Sequence, residues 1–134
     1  MRDQRANIFV VDDDTAVRLF LSELLTEAGY KVQCAKNGLE ALANLRKENP
    51  DIILSDINMP VMSGIELMSL VRFMFPKIKL IAMSGEFTDG NLPPGIEADA
   101  FYAKGSNIST LLGLVESMTK PQGRFLSTIP DLAG

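Results

Sequence analysis

The chain has 134 residues, the length of one ordinary domain that can bury a core without disulfides. It is 46% hydrophobic and 22% charged with a formal net charge of -4, a composition typical of a globular protein. The acidic balance argues against nucleic acid as the main ligand, because phosphate binding needs a basic surface. The sequence contains no histidine, which excludes Ser-His-Asp catalysis, HExxH zinc sites and a phosphohistidine of its own.

The N-terminal sequence and the single cysteine predict a cytoplasmic location. The first residues lack an apolar signal region, and no apolar run approaches the length of a membrane span, so no membrane association is expected. Cys34 has no partner for an internal disulfide, which fits a reducing compartment. Because Cys34 lies in an apolar stretch, we predict a core thiol and not a nucleophile.

Strand and helix signals alternate from the start of the chain. An apolar run at 8–11 predicts a first strand that stops at the acidic residues 12–14. A helix is predicted next, capped by Asp14 or Thr15 and ended by Gly29. Its predicted inner face follows helical spacing and consists of Val17, Phe20, Leu21, Leu24 and Ala28.

The same alternation continues to residue 118. Further strands are predicted at 32–35, 52–54, 78–83 and 100–103. Further helices are predicted at 37–47, 65–75 and 108–118. Between Ser84 and Asp99 the pattern fails, since Gly90, Pro93, Pro94 and Gly95 leave room for one helical turn at most. The fourth helix of the pattern is therefore predicted to be degenerate.

This order of elements predicts an α/β fold with a doubly wound parallel sheet. Five strands joined by right-handed crossovers suggest the flavodoxin-like order 2-1-3-4-5. In such a sheet all strands end at one edge, and the order reverses between strands one and three. We therefore expect ligands to bind where Asp12, Asp13 and Asp56 leave the sheet.

The acidic residues at this edge exceed what helix capping needs. Adding Asp56 to the run at Asp12 and Asp13 creates like-charge repulsion of up to about 4 kcal/mol for a close pair at an effective dielectric of 20. A fold keeps such a cluster only if a ligand neutralises it. Oxygen ligands without histidine or cysteine suit a hard cation, and a few carboxylates that leave room for water suit Mg²⁺.

A hydroxyl and an ammonium group are predicted to join the carboxylates. Ser84 and Lys104 each directly follow one of the remaining apolar strands, so both are expected at the same crevice. A cation, a hydroxyl donor and an ammonium around one carboxylate are what an acyl phosphate requires, because its transfer depends on positioning and charge neutralisation.

Three other classes of site fail on the same residues. A dehalogenase-type phosphatase needs Asp-x-Asp-x-Thr/Val, and Ala16 stands two residues past Asp14. An EF-hand loop needs glycine at its sixth position, which neither acidic stretch supplies. The sequence also contains no Gly-x-x-x-x-Gly-Lys-Ser/Thr nucleotide loop.

Four stretches together resemble the receiver domain of response regulators in two-component signalling. The resemblance covers about residues 7–119. It rests on Val10-Val11-Asp12-Asp13-Asp14, on Asn37-Gly38-Leu39-Glu40-Ala41-Leu42, on Ser55-Asp56-Ile57-Asn58-Met59-Pro60-Val61-Met62-Ser63-Gly64 and on Lys104. Each motif alone is weak, and jointly they are highly specific.

The resemblance implies a role for each site residue. Asp56 is implied as the phosphoryl acceptor, and Asp12, Asp13 and Asp56 are implied to hold Mg²⁺ together with the backbone carbonyl of Asn58. Lys104 is implied as the countercharge. The resemblance makes Ser84 the switch hydroxyl and Phe101 the switch aromatic, and assigns the tuning of the phosphoryl lifetime to Asn58 and Glu86.

Two positions depart from the family pattern. Gly105 stands where the family usually has a proline after its lysine, and the stretch from Gly90 to Gly95 replaces the fourth helix. A cis peptide at glycine would cost about 2.5 to 4 kcal/mol, so the loop after Lys104 is expected to differ from that of the family.

The expected function is phosphorelay signalling. The implied partners are a sensor histidine kinase or a histidine phosphotransfer protein and a downstream protein target, without nucleic acid. No enzymatic activity is expected beyond Mg²⁺-dependent self-phosphorylation and self-dephosphorylation. The alternative is a receiver-like interaction module that is never phosphorylated, whose hallmark would be loss of an acidic residue or of Lys104. We expect an N-terminal extension at 1–6, the receiver domain at 7–119 and a C-terminal tail at 120–134 without an output domain.

Overall fold

The computed structural model of the chain describes residues 6–85 and 95–119. Five strands and four helices lie in these residues. The strands are β1 (Asn7–Val11), β2 (Lys31–Ala35), β3 (Ile52–Asp56), β4 (Lys79–Ser84) and β5 (Ala100–Ala103). The helices are α1 (Thr15–Glu27), α2 (Gly38–Leu45), α3 (Gly64–Met74) and α4 (Ile108–Thr119).

The strands form one parallel sheet in the order β2-β1-β3-β4-β5, which confirms the predicted fold class. Each face of the sheet carries its own apolar cluster. One cluster contains residues of α2 and α3, including Ala41, Leu67 and Val71. The other contains Leu25 of α1 and Val115 of α4. The sheet is thus a central layer with two helices packed on each face, and its strands are apolar because both faces are covered.

Side-chain caps fix the starts of the helices that lead away from the carboxyl edge of the sheet. The Asp14 carboxylate accepts hydrogen bonds from backbone N–H groups of the first turn of α1, and Asn37 caps α2 in the same way. Ser63 and Glu66 form a reciprocal capping box at α3. These short polar residues stand at the C-terminal ends of the preceding loops, and their hydrogen bonds fix those ends to the helices.

The structure corrects two expectations about burial. Phe20, predicted on the inner face of α1, is 51% exposed, because Leu21 and Leu25 occupy the face that meets the sheet. Cys34, predicted to be a core thiol, is exposed. Cys34 lies on β2, an edge strand whose other positions are also only partly covered, except for Ala35.

Two further points concern the segment between β4 and β5 and the membrane. The degenerate fourth helix was predicted for a stretch whose residues 86–94 lie outside the described part of the chain, so it stays a prediction. Among the helices that the structure describes, none is both long and apolar enough to cross a membrane.

Candidate functional site

The predicted site residues meet at the carboxyl edge of the sheet. Asp12 directly follows β1 and Asp56 is the last residue of β3. Ser84 proves to be the last residue of β4, not the first residue after it, and Lys104 directly follows β5. Asp12, Asp56 and Ser84 are buried, whereas Asp13 is exposed. The sheet therefore presents two buried carboxylates and one carboxylate that faces solvent.

Lys104 joins the two buried carboxylates. Its Nζ lies 2.9 Å from Oδ2 of Asp12 and 3.1 Å from Oδ2 of Asp56. The contact with Asp56 has the geometry of a hydrogen bond. Since both carboxylates share one ammonium group, removal of Lys104 would leave two buried like charges side by side.

The pKa values of Asp56 and Lys104 reflect opposing effects of burial and of neighbouring groups. Burial raises the pKa of Asp56, the nearby Asp12 raises it further, and the hydrogen bond from the Asn58 backbone together with Lys104 opposes this rise, so that the net shift is upward. Burial by itself lowers the pKa of Lys104, but its two carboxylate partners outweigh this and leave the pKa raised. Lys104 is thus held as a cation at neutral pH.

The acidic residues fit a divalent cation. Asp12, Asp13 and Asp56 each offer a carboxylate oxygen, and these oxygens lie within 4.8 Å of one another. Oδ2 of Asp12 is buried and, within the part of the chain that the structure describes, has no partner besides its ion pair with Lys104. Oxygen donors with one solvent-facing member suit a hard ion that keeps part of its water shell, as Mg²⁺ does.

Backbone N–H groups orient both buried carboxylates. Oδ1 of Asp12 accepts a hydrogen bond of 2.9 Å from the Asp14 backbone, and Oδ1 of Asp56 accepts one of 3.2 Å from the Asn58 backbone. In each case the loop residue two positions on holds the carboxylate. One oxygen of each carboxylate is therefore fixed by its own loop, while the other oxygen faces Lys104.

Two residues that the sequence analysis does not assign a role support these loops. A guanidinium nitrogen of Arg18 donates a hydrogen bond of 2.6 Å to the backbone oxygen of Asp12, and ties the loop after β1 to α1. Gly64 lies against the end of β3, where an added Cβ would stand 2.1 Å from the backbone oxygen of Asp56. The position of Arg18, one helical turn after Asp14, could have indicated its contact with this loop from the sequence. The close approach at Gly64 is a tertiary contact, which no local pattern predicts.

The loop after β5 forms a tight turn. The backbone N–H of Lys104 donates to the Ser84 carbonyl at 2.9 Å, and that of Ser106 donates to the Ala103 carbonyl at 3.0 Å. Gly105 adopts φ +87°, a region that favours glycine, and its peptide bond with Lys104 is trans. The phenol of Tyr102 donates a hydrogen bond of 2.7 Å to the Ser106 carbonyl.

Phe101 and Glu86 complete the set of predicted residues. Phe101 is 8% exposed and belongs to the apolar cluster on the α2 and α3 side of the sheet. Its expected role as a switch aromatic stays a prediction, as does the switch role of Ser84. Glu86 lies outside the described residues. The structure thus brings together Asp12, Asp13, Asp56 and Lys104, with Ser84 bonded through its carbonyl to the lysine backbone.

The fold is that of a receiver domain. The family model of the response regulator receiver domain matches residues 8–116, so the chain belongs to this family of two-component signalling. Receiver domains interact with histidine kinases or phosphotransfer proteins, and in general they are not enzymes.

Several curated relatives and solved structures are similar to this chain. The chain is 37% identical over 87% of its length to protein-glutamate methylesterase/protein-glutamine glutaminase 3 of Rhodospirillum rubrum, and spans 28% of that protein. It is 38% identical over 58% of its length to sporulation initiation phosphotransferase F of Bacillus subtilis, and spans 62% of it. The solved response regulator TrrA of Thermotoga maritima, in complex with Mg²⁺ and BeF, superposes with a TM-score of 0.77 at 32% identity, covering 84% of this chain and 97% of that one.

Proposed function

We propose that Asp56 accepts a phosphoryl group from the phosphohistidine of a kinase or phosphotransfer protein, or from a small acyl phosphate. The observation that carries this proposal is the position of Lys104, whose ammonium group lies within 3.1 Å of both Asp56 and Asp12. Such a cation beside a strand-end carboxylate can neutralise charge as a phosphoryl group arrives. The relative named as a phosphotransferase and the TrrA complex with Mg²⁺ and BeF support the same chemistry.

The transfer converts one phosphoryl bond into another. A carboxylate oxygen of Asp56 forms a bond to phosphorus while the bond from phosphorus to the donor breaks. The electron pair of that bond leaves with the donor atom, an imidazole nitrogen of phosphohistidine or a carboxylate oxygen of acetyl phosphate. The carboxylate attacks in its ionised form, so the step requires no general base.

Asp12, Asp13 and Asp56 would hold Mg²⁺ together with the backbone carbonyl of Asn58. Bound there, Mg²⁺ supplies positive charge for the phosphoryl oxygens. The residues of the chain provide the rest: the Asn58 backbone orients the Asp56 carboxylate, and Lys104 offers a second positive charge beside it. Positioning and charge neutralisation are the two terms on which phosphoryl transfer depends most.

Phosphorylation is proposed to act as a switch for a downstream protein. The Ser84 hydroxyl would bond the new phosphoryl oxygens, and the ring of Phe101, which has no hydroxyl, would respond through burial alone. Ser84 ends β4, and its carbonyl already accepts a hydrogen bond from the Lys104 backbone. A displacement of Ser84 would therefore be transmitted to Lys104 through this hydrogen bond.

The decisive experiment is labelling with acetyl phosphate. Wild-type protein is expected to gain a phosphoryl group, detected by mass spectrometry or phosphate-tag electrophoresis, only when Mg²⁺ is present. Asp56→Asn is expected to remain unlabelled, whereas Asp51→Asn, at the opposite edge of the sheet, is expected to label like wild type. Labelling of Asp56→Asn, or labelling that is indifferent to chelation, would contradict the assignment.

The alternative of an unphosphorylated interaction module gives the opposite result. Such a module would bind its partner equally well before and after acetyl phosphate treatment, and would take up no label. The acidic residues and the lysine that such a module is expected to lose are all present here, which favours the phosphorylated form.

A further inference from the structure

Lys104 is followed by a turn whose residues Gly105 and Ser106 are exposed within the described part of the chain. Gly105 adopts φ +87°, and apart from its chain neighbours no atom of the described residues lies within 4 Å of the position of an added Cβ. Glycine has the largest backbone freedom of any residue, so a turn built on it is fixed mainly by its hydrogen bonds. Its two backbone hydrogen bonds run from Lys104 to Ser84 and from Ser106 to Ala103.

A side chain from within the sheet adds a third hydrogen bond. Tyr102, on β5, is 6% exposed and belongs to the apolar cluster on the α1 and α4 side. Its hydroxyl donates to the Ser106 carbonyl at 2.7 Å. The ring is thus anchored in the core and its hydroxyl holds the far end of the turn, two residues beyond Lys104.

The ring of Tyr102 also lines open space beside the turn. A cavity of about 260 Å³ lies between α1 and the turn, with Phe20, Tyr102, Lys104 and Gly105 among the residues that line it. The turn therefore has open space on this side, and the tyrosine hydroxyl is a restraint that reaches it from the core. Burial raises the pKa of Tyr102, so the hydroxyl keeps the proton that it donates at neutral pH.

We propose that Tyr102 is a positioning residue for Lys104. By holding the Ser106 carbonyl, its hydroxyl fixes the Gly105 turn and keeps the ammonium group between Asp12 and Asp56. The inference rests on the proposed phosphoryl transfer to Asp56, because the ammonium group acts there as countercharge. It assigns a role to a residue that touches neither the phosphoryl group nor the carboxylates.

The test removes the hydroxyl and keeps the ring. Tyr102→Phe is expected to slow phosphorylation by acetyl phosphate at saturating Mg²⁺ about two- to tenfold, the range for loss of one hydrogen bond of about 0.5 to 1.5 kcal/mol. Saturating Mg²⁺ keeps the comparison independent of any change in metal affinity, because Lys104 contacts two of the three acidic residues. Tyr30→Phe, at the opposite edge of the sheet, is the matched control and is expected to phosphorylate at the wild-type rate.

A double-mutant cycle distinguishes positioning from general packing. If Tyr102 acts through Lys104, Tyr102→Phe will have no further effect on the residual rate of Lys104→Gln. Equal slowing in both backgrounds would overturn the proposal, as would a wild-type rate for Tyr102→Phe in the presence of Lys104.

A structural readout keeps the inference independent of the labelling result. Hydrogen exchange at the Ser106 amide is expected to be faster in Tyr102→Phe than in wild type, while the amides of β1 and β3 keep their protection. Unchanged protection at Ser106 would overturn the proposed restraint. If wild-type protein takes up no phosphoryl group at all, the proposed function fails, whereas normal uptake by both wild type and Tyr102→Phe defeats this inference alone.

Discussion

At the scale of one residue, the burial of Asp56 that the proposed function uses lowers the free energy of unfolding once this carboxylate is ionised. Its carboxylate is buried beside Asp12, and both effects raise its pKa, although Lys104 and the Asn58 backbone oppose them. A raised pKa means that the folded chain binds this proton more tightly than the unfolded chain does. The stabilising contribution of the protonated form is therefore full at pH values below the ordinary pKa of an aspartate, 3.8, and is lost as the pH rises through the folded pKa.

This sign predicts how Asp56→Asn changes stability. In the absence of metal, the variant is expected to gain stability relative to wild type as the pH increases from about 3 to 7, because asparagine cannot ionise. Urea denaturation at a series of pH values, with a chelator present, measures the difference. A difference that stays constant across this range, or that falls, would contradict the prediction. Asp51→Asn at the opposite edge is the control for removal of an aspartate elsewhere.

Asn58 is predicted to shorten the lifetime of the phosphorylated form. Its side chain is exposed two residues after the acceptor and can hold a water in line with phosphorus, while its backbone N–H orients Asp56. Replacing Asn58 and Glu86 together by alanine is expected to slow loss of the phosphoryl group about two- to tenfold, the effect of losing one hydrogen bond. A pulse-chase comparison checks this, with Asn58→Ala alone showing how much of the effect belongs to the residue that the structure describes. Decay at the wild-type rate in the double variant would count against water positioning.

At the scale of the elements, the start of α3 lies directly against the backbone of Asp56. Its first residue, Gly64, would place an added Cβ 2.1 Å from the Asp56 backbone oxygen and 2.7 Å from Cα of Ile57. These neighbours are backbone atoms and cannot rotate away. The absence of a side chain at this position allows the capped start of α3 to lie against the end of β3.

We predict that Gly64→Ala destabilises the protein by about 3 kcal/mol, at the upper end of the usual cost of overpacking, and also lowers phosphoryl uptake by displacing Asp56. Gly113→Ala is the matched control, because Gly113 lies inside α4 and, apart from the backbone of that helix, no described atom lies within 4 Å of an added Cβ. There the substitution is expected to stabilise by about 0.5 to 1 kcal/mol through helix propensity. Urea midpoints and labelling of both variants test the pair, and equal effects of the two alanines would refute the steric argument.

The elements were predictable to the extent that local patterns determine them. Apolar runs identified all five strands, and the Asp14 cap and the glycine after α1 marked the bounds of that helix. The approach of Asp12, Asp56 and Lys104 also followed, since parallel strands end at one edge. The packing of one element against another could not be predicted from such patterns. Phe20, which was predicted on the inner face of α1, is exposed. The face of α1 that meets the sheet depends on how the helix is rotated by its neighbours, which a spacing pattern leaves open by one position.

The same limit applies to the turn after β5. Gly105 indicated an unusual loop in the sequence. The hydrogen bond from Tyr102 to Ser106 depends on where the core places the tyrosine ring, which the sequence pattern does not give. The Arg18 contact with the Asp12 carbonyl likewise depends on how α1 leaves the loop. Residue types at strand ends were therefore readable from the sequence, whereas the side chains that hold the loops were not.

For the whole molecule, the site exists only when the sheet is assembled. Asp12 and Asp13 follow β1, Asp56 ends β3 and Lys104 follows β5, so the unfolded chain does not bring these groups together. A cation that binds the folded chain alone adds RT ln(1 + [L]/Kd) to the free energy of unfolding, about 2.7 kcal/mol at a hundredfold excess over Kd. Metal binding and global stability are therefore linked, and the link can be measured without any phosphodonor.

We predict that Mg²⁺ raises the urea midpoint of wild-type protein by this law, and that Asp13→Asn removes most of the shift. Asp13 is the exposed member of the acidic cluster, so its replacement takes away a metal ligand without disturbing the buried contacts of Lys104 with Asp12 and Asp56. The metal-free stability of Asp13→Asn should accordingly stay within about 0.5 kcal/mol of wild type, as for an ordinary surface substitution. A Mg²⁺ shift of full size in Asp13→Asn would show that the ion binds elsewhere, and a wild-type midpoint that is indifferent to Mg²⁺ would remove the metal from the proposed chemistry.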